Sequence, residues 1–185
     1  MTTRAAAVVN GLQGAFLLAR GRSEGLFCVE DDLAGAARSF WAAPLCLPAF
    51  LCLRLIDWAT SGMPPQPTHS IAFDLLSYVV GWVGFAVLSR TAAAALGRER
   101  RWPRFIAAWN WCNAVQYLLL TTAALPVLLG APAWVDQVAE LIALGWALWL
   151  EWFAAKLALD VPGLQAGTIV ALDLGLGLLL AAATG

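Results

Sequence analysis

Five side chains able to exchange protons or hydrogen bonds stand where apolar residues are expected: Glu151, Asp173, Asn110, Asn113 and Gln116. Glu151 interrupts the run "LGWALWLEWFAAKLALD", and Asp173 interrupts "AGTIVALDLGLGLLLAAAT". An acid near the centre of a membrane helix costs about 2.5–3.5 kcal/mol, so it needs a partner, a proton or water. At a helical rise of about 1.5 Å per residue, Asp173 and Gln116 fall near the midpoints of their runs. Glu151 and Asn113 fall roughly 6 Å to one side, with Asn110 nearer the surface. The expectation is that Glu151 faces inward and hydrogen-bonds Asn113 or Gln116, with Asp173 close by. Two carboxyls in a dry layer cannot both stay ionised cheaply, so one is expected to keep a proton near neutral pH. Such a layer does one of two things: it responds to protons, as in ion-coupled transport, or it bonds helices together. Lys156 lies about 140° around the helix from Glu151 and is expected to reach the aqueous surface instead.

A second cluster, toward the opposite face of the membrane, consists of Arg54 and Asp57 at the end of the first apolar run, Asp74 at the start of the second, and Asp136 and Glu140 at the start of the fourth. Arg54 is the only base among these acids, which predicts an Arg54–Asp74 or Arg54–Glu140 pair. Asp136, Glu140 and Glu151 share one helix face. That stripe either lines a wet path to the polar layer or marks the inward face.

The elements that must hold these groups follow from composition. The chain is 61% hydrophobic and 12% charged over 185 residues, about half the charged fraction of a soluble domain. Its solvent is therefore partly lipid, and the fold class is an all-α membrane protein. Five segments approach the ~20 apolar residues needed to cross a bilayer: Ser39–Trp58, Ala72–Leu96, Phe105–Leu129, Trp134–Leu159 and Leu164–Thr184. "SGMPPQPTHS", "GRERRWPR", "GAPA" and "DVPG" separate them. Residues 1–38 form a separate N-terminal segment, and 39–185 the transmembrane domain.

Basic residues set the orientation. Arg4, Arg20, Arg22 and Arg38 precede the first span, and Arg98, Arg100, Arg101 and Arg104 fill the second connection. The first and third connections have no Lys or Arg, while Lys156 lies beside the fourth. The N-terminus is thus expected in the cytoplasm and the C-terminus outside, in a cell (inner) membrane. Trp41, Trp102 and Trp109 fall near inner boundaries and Trp58 and Trp134 near outer ones, as in an aromatic belt. Trp146 and Trp149 lie deeper and are expected to pack against other helices.

Val9, Leu12, Phe16 and Ala19 recur at helical spacing between flanking arginines. This predicts an amphipathic helix on the cytoplasmic leaflet, or one packed under the bundle. Its apolar stretch is broken by Asn10, Gly11, Gln13 and Gly14, and no cleavage as a signal peptide is expected. Asp31 or Asp32 is placed to cap the helix entering the membrane. Pro44 and Pro48 predict a kink in the first span. Spacing by four among Gly167, Ala171 and Gly175, among Asp173, Gly177 and Ala181, and between Ser77 and Gly81 predicts close helix approach.

Several functions find no support. No phosphate loop, dinucleotide fingerprint, zinc-protease helix or serine elbow occurs. Cys28, Cys46, Cys52 and Cys112 have no metal-binding spacing, and the lone His69 sits in a Pro-rich loop. No metal, cofactor or enzymatic activity is expected. A net charge of −1 gives no reason to expect nucleic acid. "GRERRWPR" is read as a topology signal, with anionic lipid or a partner protein as its alternative contact. The odd span count argues against a two-half inverted repeat, so a transporter of this size would be a homo-oligomer or a subunit of a larger membrane complex.

Five close-set spans after an N-terminal segment, the first opening "RSFWAAPLCLPAF", resemble the Yip1-like superfamily of small membrane proteins, especially its uncharacterised bacterial members. The Asp-Leu then Gly-Pro signature of eukaryotic members has only a partial echo here, "DDLAGAA", and no functional residue carries over. The resemblance implies partner-mediated work in the membrane rather than catalysis. The leading expectation is thus a non-catalytic scaffold or interaction protein in the lipid bilayer. The alternative is a proton-coupled small-molecule transporter or permease subunit using Glu151 and Asp173. The orientation has a direct check: a phosphatase fused after Gly185 should be active, and the same enzyme fused in the Arg98–Arg104 connection should be silent.

Overall fold

The computed structural model describes residues 4–184, and within them every regular element is helical. In chain order these are α1 (Arg4–Ala19), α2 (Leu33–Ser39), α3 (Ala42–Ser61), α4 (Pro67–Ala95), α5 (Trp102–Ala123), the single turn α6 (Leu125–Leu128), α7 (Ala133–Leu159) and α8 (Gly163–Thr184). Short 3-10 turns at Ser23–Cys28 and Glu99–Arg101 precede α2 and α5. Five helical stretches are long and apolar enough to span a membrane, the build of a multi-pass membrane protein.

Local chemistry explains the boundaries. Asp32, in extended conformation, caps α2 by accepting from the Gly35 N–H at 2.6 Å. Arg38 reaches back to Glu30 through two hydrogen bonds of 2.9 Å and fastens the approach to the first span. Proline opens α4 and α5, where the missing N–H removes no helical bond. The same reasoning applies to Pro44 in the first turn of α3, so only Pro48 deletes an internal bond there, and α3 continues through it. The interruption lies earlier, at the Phe40–Trp41 turn between α2 and α3. At its other end α7 stops at Asp160, in the left-handed region at φ 53°, a conformation Asp tolerates better than most residues. Asp160 also meets Arg101 at 3.1 Å, tying the end of α7 to the start of α5.

α5 is the centre of the bundle. Every residue from Phe105 to Cys112 is buried, enclosed by α1, α2, α3 and α7. Phe85 of α4 and Trp109 of α5 pack with their rings tilted by 32° and centroids 4.3 Å apart, and Trp82 meets Trp109 edge-on at 5.5 Å. Trp109 is therefore a core residue, 5% exposed, rather than a member of an interfacial belt. Trp149 departs from expectation the other way: it is partly exposed and stacks on Phe153 of its own helix. α8 lies outermost, chiefly against α4 and α7, with 11% of its span buried.

α1 packs through several small residues together with Leu18. Ala7, Gly11, Gly14, Ala15 and Leu18 face the protein, while Val9 and Phe16 are exposed. A Cβ on Gly11 would collide with the Trp111 indole, and one on Gly14 would lie 2.7 Å from the Gly25 carbonyl. Gly11→Val should therefore destabilise the protein by about 1–3 kcal/mol through overpacking, whereas Val9→Ala should change little. Thermal unfolding of the two variants in one detergent measures the difference.

Candidate functional site

Between α3, α4, α5, α7 and α8 lies a cavity of about 450 Å³. Its walls hold members of both polar groups picked out from the sequence. Arg54 and Asp74 stand in it, and so do Asn113, Gln116, Glu151 and Asp173.

The α7–α8 hairpin sets the two inner acids opposite one another. Glu151 lies eight residues before the end of α7 at Leu159, and Asp173 ten residues into α8 from Gly163. The short connection is fixed by the Trp152 indole, which donates to the Gly163 carbonyl at 2.8 Å. The Glu151 and Asp173 carboxyls come within hydrogen-bonding reach of each other. From α5, Gln116 donates through Nε2 to the Glu151 carboxyl at 3.2 Å and to the Ala147 carbonyl at 3.0 Å. Ala147 is small and buried, which lets the amide approach the α7 backbone.

Asn113 also lines the cavity, but its Nδ2 donates to the Trp109 carbonyl of its own helix at 3.0 Å, not to Glu151. Asn110 lies apart. It is wholly buried and donates to Ser39 Oγ at 2.8 Å, joining α5 to the end of α2. Helical geometry accounts for this: Trp109, Asn113, Gln116, Tyr117 and Leu120 recur on one face at steps of three and four, and Asn110 is turned ~100° from Trp109. Depth alone groups Asn110 with the others; angle separates it.

At the other end of the cavity Arg54 binds Asp74 at 2.9 Å and Asp57, on its own helix, at 3.5 Å. Asp74 is buried while Arg54 is half-buried. Tyr78, one turn along from Asp74, donates to the Ala43 carbonyl at 2.7 Å and holds α4 to α3. Glu140 does not join this pair. It is exposed and lines a neighbouring cavity of about 510 Å³, which shares Leu120 and Leu144 with the central one. Asp136 belongs to neither cavity, and its buried Oδ1 has no hydrogen-bond partner.

Five aromatic residues of the wall were not among the candidates: Phe50, Tyr78, Trp82, Trp109 and Tyr117. The signal available for Trp109 and Tyr117 was their spacing of four residues on either side of Asn113. Ser77, Gly81, Gly177 and Ala181 also face the cavity, and the small side chains of α4 and α8 give it room. Gly167 and Gly175, by contrast, meet no other part of the protein where a Cβ would stand, and Ala171 is exposed. That spacing of four mediates no approach within the described chain. Among the described residues no group of His, Cys, Asp and Glu is arranged to hold a metal ion.

No family model matches this sequence, and no curated protein or solved structure is significantly similar to it. The Arg54–Asp74 pair predicts an asymmetry between variants. Arg54→Leu strands a buried carboxylate and should cost about 2 kcal/mol. Asp74→Asn, which keeps an acceptor for Arg54, should cost less than half as much in the same unfolding assay.

Proposed function

We propose that this protein is a proton-coupled carrier of a small molecule, or the permease subunit of one, with the central cavity as its translocation site. One observation carries the reading: a single space of ligand size joins the Arg54–Asp74 pair to the Glu151–Asp173 pair deep in the bundle. Ligand sites of about 300–1,000 Å³ with apolar walls and a few convergent polar groups are the usual form. Helix-bonding alone needs no such space, since amides and carboxyls that only join helices pack against one another directly.

The inner pair supplies the coupling. A carboxyl–carboxyl hydrogen bond needs one proton between the two groups, because an ionised carboxyl has no donor. Taking up or releasing that proton changes the charge of the cavity by one unit in a low-dielectric setting, where such a change is strongly felt. Gln116 holds Glu151 in place whichever partner carries the proton. Movement has a natural element in α8, which brings Asp173 and is the least buried of the five spans among the described residues. In this reading the N-terminus is cytoplasmic, so the Arg54–Asp74 end faces outside.

The scaffold expectation and the carrier reading separate on water. A cysteine at Ser77, in a background with the four native cysteines replaced by serine or alanine, should react with a membrane-impermeant thiol reagent in both right-side-out and inverted vesicles. Labelling from one side only, or from neither, would overturn alternating access. A second measurement follows the proton: collapse of an imposed pH gradient by the reconstituted protein should be lost in Glu151→Gln while the fold is retained.

A further inference from the structure

The cavity also has a preference of charge. Three carboxyls line it, Asp74, Glu151 and Asp173, against one guanidinium, Arg54. That guanidinium is engaged by Asp74 at 2.9 Å and by Asp57 at 3.5 Å, so it offers no uncommitted positive charge to an anion. One further atom marks a place for something else. Asp74 is 5% exposed, and its second carboxylate oxygen, Oδ2, has no hydrogen-bond partner. Trp109 is equally buried and lies in the wall beside Asp173, with its indole N–H directed at that carboxyl. Buried polar atoms are nearly always paired, so an unsatisfied carboxylate oxygen in a cavity wall is an acceptor waiting for a donor.

The rest of the wall suits a cation with an apolar body. Tyr78, Trp82, Trp109 and Tyr117 bring aromatic rings to the space, with Phe50 against Tyr78 at 4.7 Å. Ring faces attract ammonium and related groups, most strongly when these are out of water. An anion would meet three carboxyls and only a guanidinium already engaged.

We infer that the ligand of this cavity is an organic monocation, an ammonium-type group on an aromatic or apolar body, seated between the unpaired oxygen of Asp74 and the Glu151–Asp173 pair. This rests on the carrier reading and gives it a stoichiometry. The proton shared by the two inner carboxyls leaves to water as the cation arrives, so the charge of the cavity is the same before and after. The other titratable side chains turned toward this region are Cys46 and Arg54 on α3, Asp74 and Tyr78 on α4, and Cys112 and Tyr117 on α5. Only Arg54 among them is a cation, and it is already paired.

The test uses the full chain in lipid nanodiscs and three probes of similar size: benzyltrimethylammonium, phenylacetate and benzyl alcohol. Calorimetry should show saturable binding of benzyltrimethylammonium, weakened about tenfold or more in Glu151→Gln and in Asp173→Asn, as expected when a charged contact is lost. Titrations in buffers of different ionisation enthalpy should report release of a proton per cation bound. Tighter binding of phenylacetate, equal uptake of all three probes, or binding that ignores both substitutions would overturn the inference. Both replacements keep the carboxyl shape; should neither fold, the preference of the native protein for cation over anion decides alone. Two-sided labelling at position 77 without cation binding would overturn this inference and leave the carrier reading standing. Cation binding with one-sided labelling would overturn the carrier and leave the site.

Discussion

A polar group facing hydrocarbon has no water to bond with, so each one in a membrane helix must turn toward protein or enclosed water. In this chain that constraint fixes the rotation of α7 and α8. With Glu151 turned inward, Leu150, Ala154 and Ala158 are buried against the bundle, while Leu141, Ile142 and Trp149 look outward. Asp173 sets α8 in the same way and leaves Leu172, Leu178 and Leu179 exposed. A hydrophobic stripe cannot do this in lipid, because leucine gains little by choosing protein over acyl chains. The few polar side chains therefore orient the helices as well as furnishing the cavity.

The buried centre must meet the opposite demand. α5 is enclosed on most sides through its first half, and its amides serve as connectors: Asn110 to Ser39, Gln116 to α7. Around them Trp109, Phe105 and Trp111 fill space that branched aliphatic residues would leave partly empty. Beyond Cys112 the packing of α5 loosens, and Asn113, Tyr117 and Leu120 reach the cavity. One helix is thus a packed core along half its length and a cavity wall along the other half.

Much of this was legible in the residues. The five spans were marked by composition and by Pro, Gly and Arg at their ends, signals that depend on solvent and local sterics rather than on tertiary context. The Arg54–Asp74 pair was legible because one base stood among several acids. Gln116 with Glu151 was legible from depth. What depth cannot give is angle, so Asn110 was grouped with side chains that look another way, and Asn113 was offered to Glu151 although it bonds Trp109. Tryptophan was ambiguous for a physical reason: its amphipathic ring suits both a membrane boundary and a crowded interior. For Trp109 the interior won, because Trp82 and Phe85 of α4 cover it. The glycines of α1 looked like breaks in an apolar stretch; they are where α1 approaches Trp111 and the Gly25 carbonyl.

α8 closes the cavity against α4 and α7 and is the least buried of the five spans among the described residues. In water, lifting an apolar helix from its neighbours would expose hydrocarbon at about 25 cal/mol per Å². In a bilayer the same motion exchanges protein contacts for lipid ones, and the cost falls to packing and to whatever polar bonds are broken. For α8 the polar ties facing the interior come down to Asp173, opposite Glu151 and Trp109. A Cβ on Gly81 or Gly84 of α4 would meet Leu180 or Leu176 of α8 at 3.7 and 3.4 Å, so the missing side chains leave room between the two helices. In the proposed carrier, a proton or cation bound at Asp173 would act on the polar link at the middle of the least buried span, whose start is held separately by the Trp152–Gly163 bond. A site built there can couple occupancy to opening; the same acid on the enclosed α5 would be held by four neighbouring helices and could not.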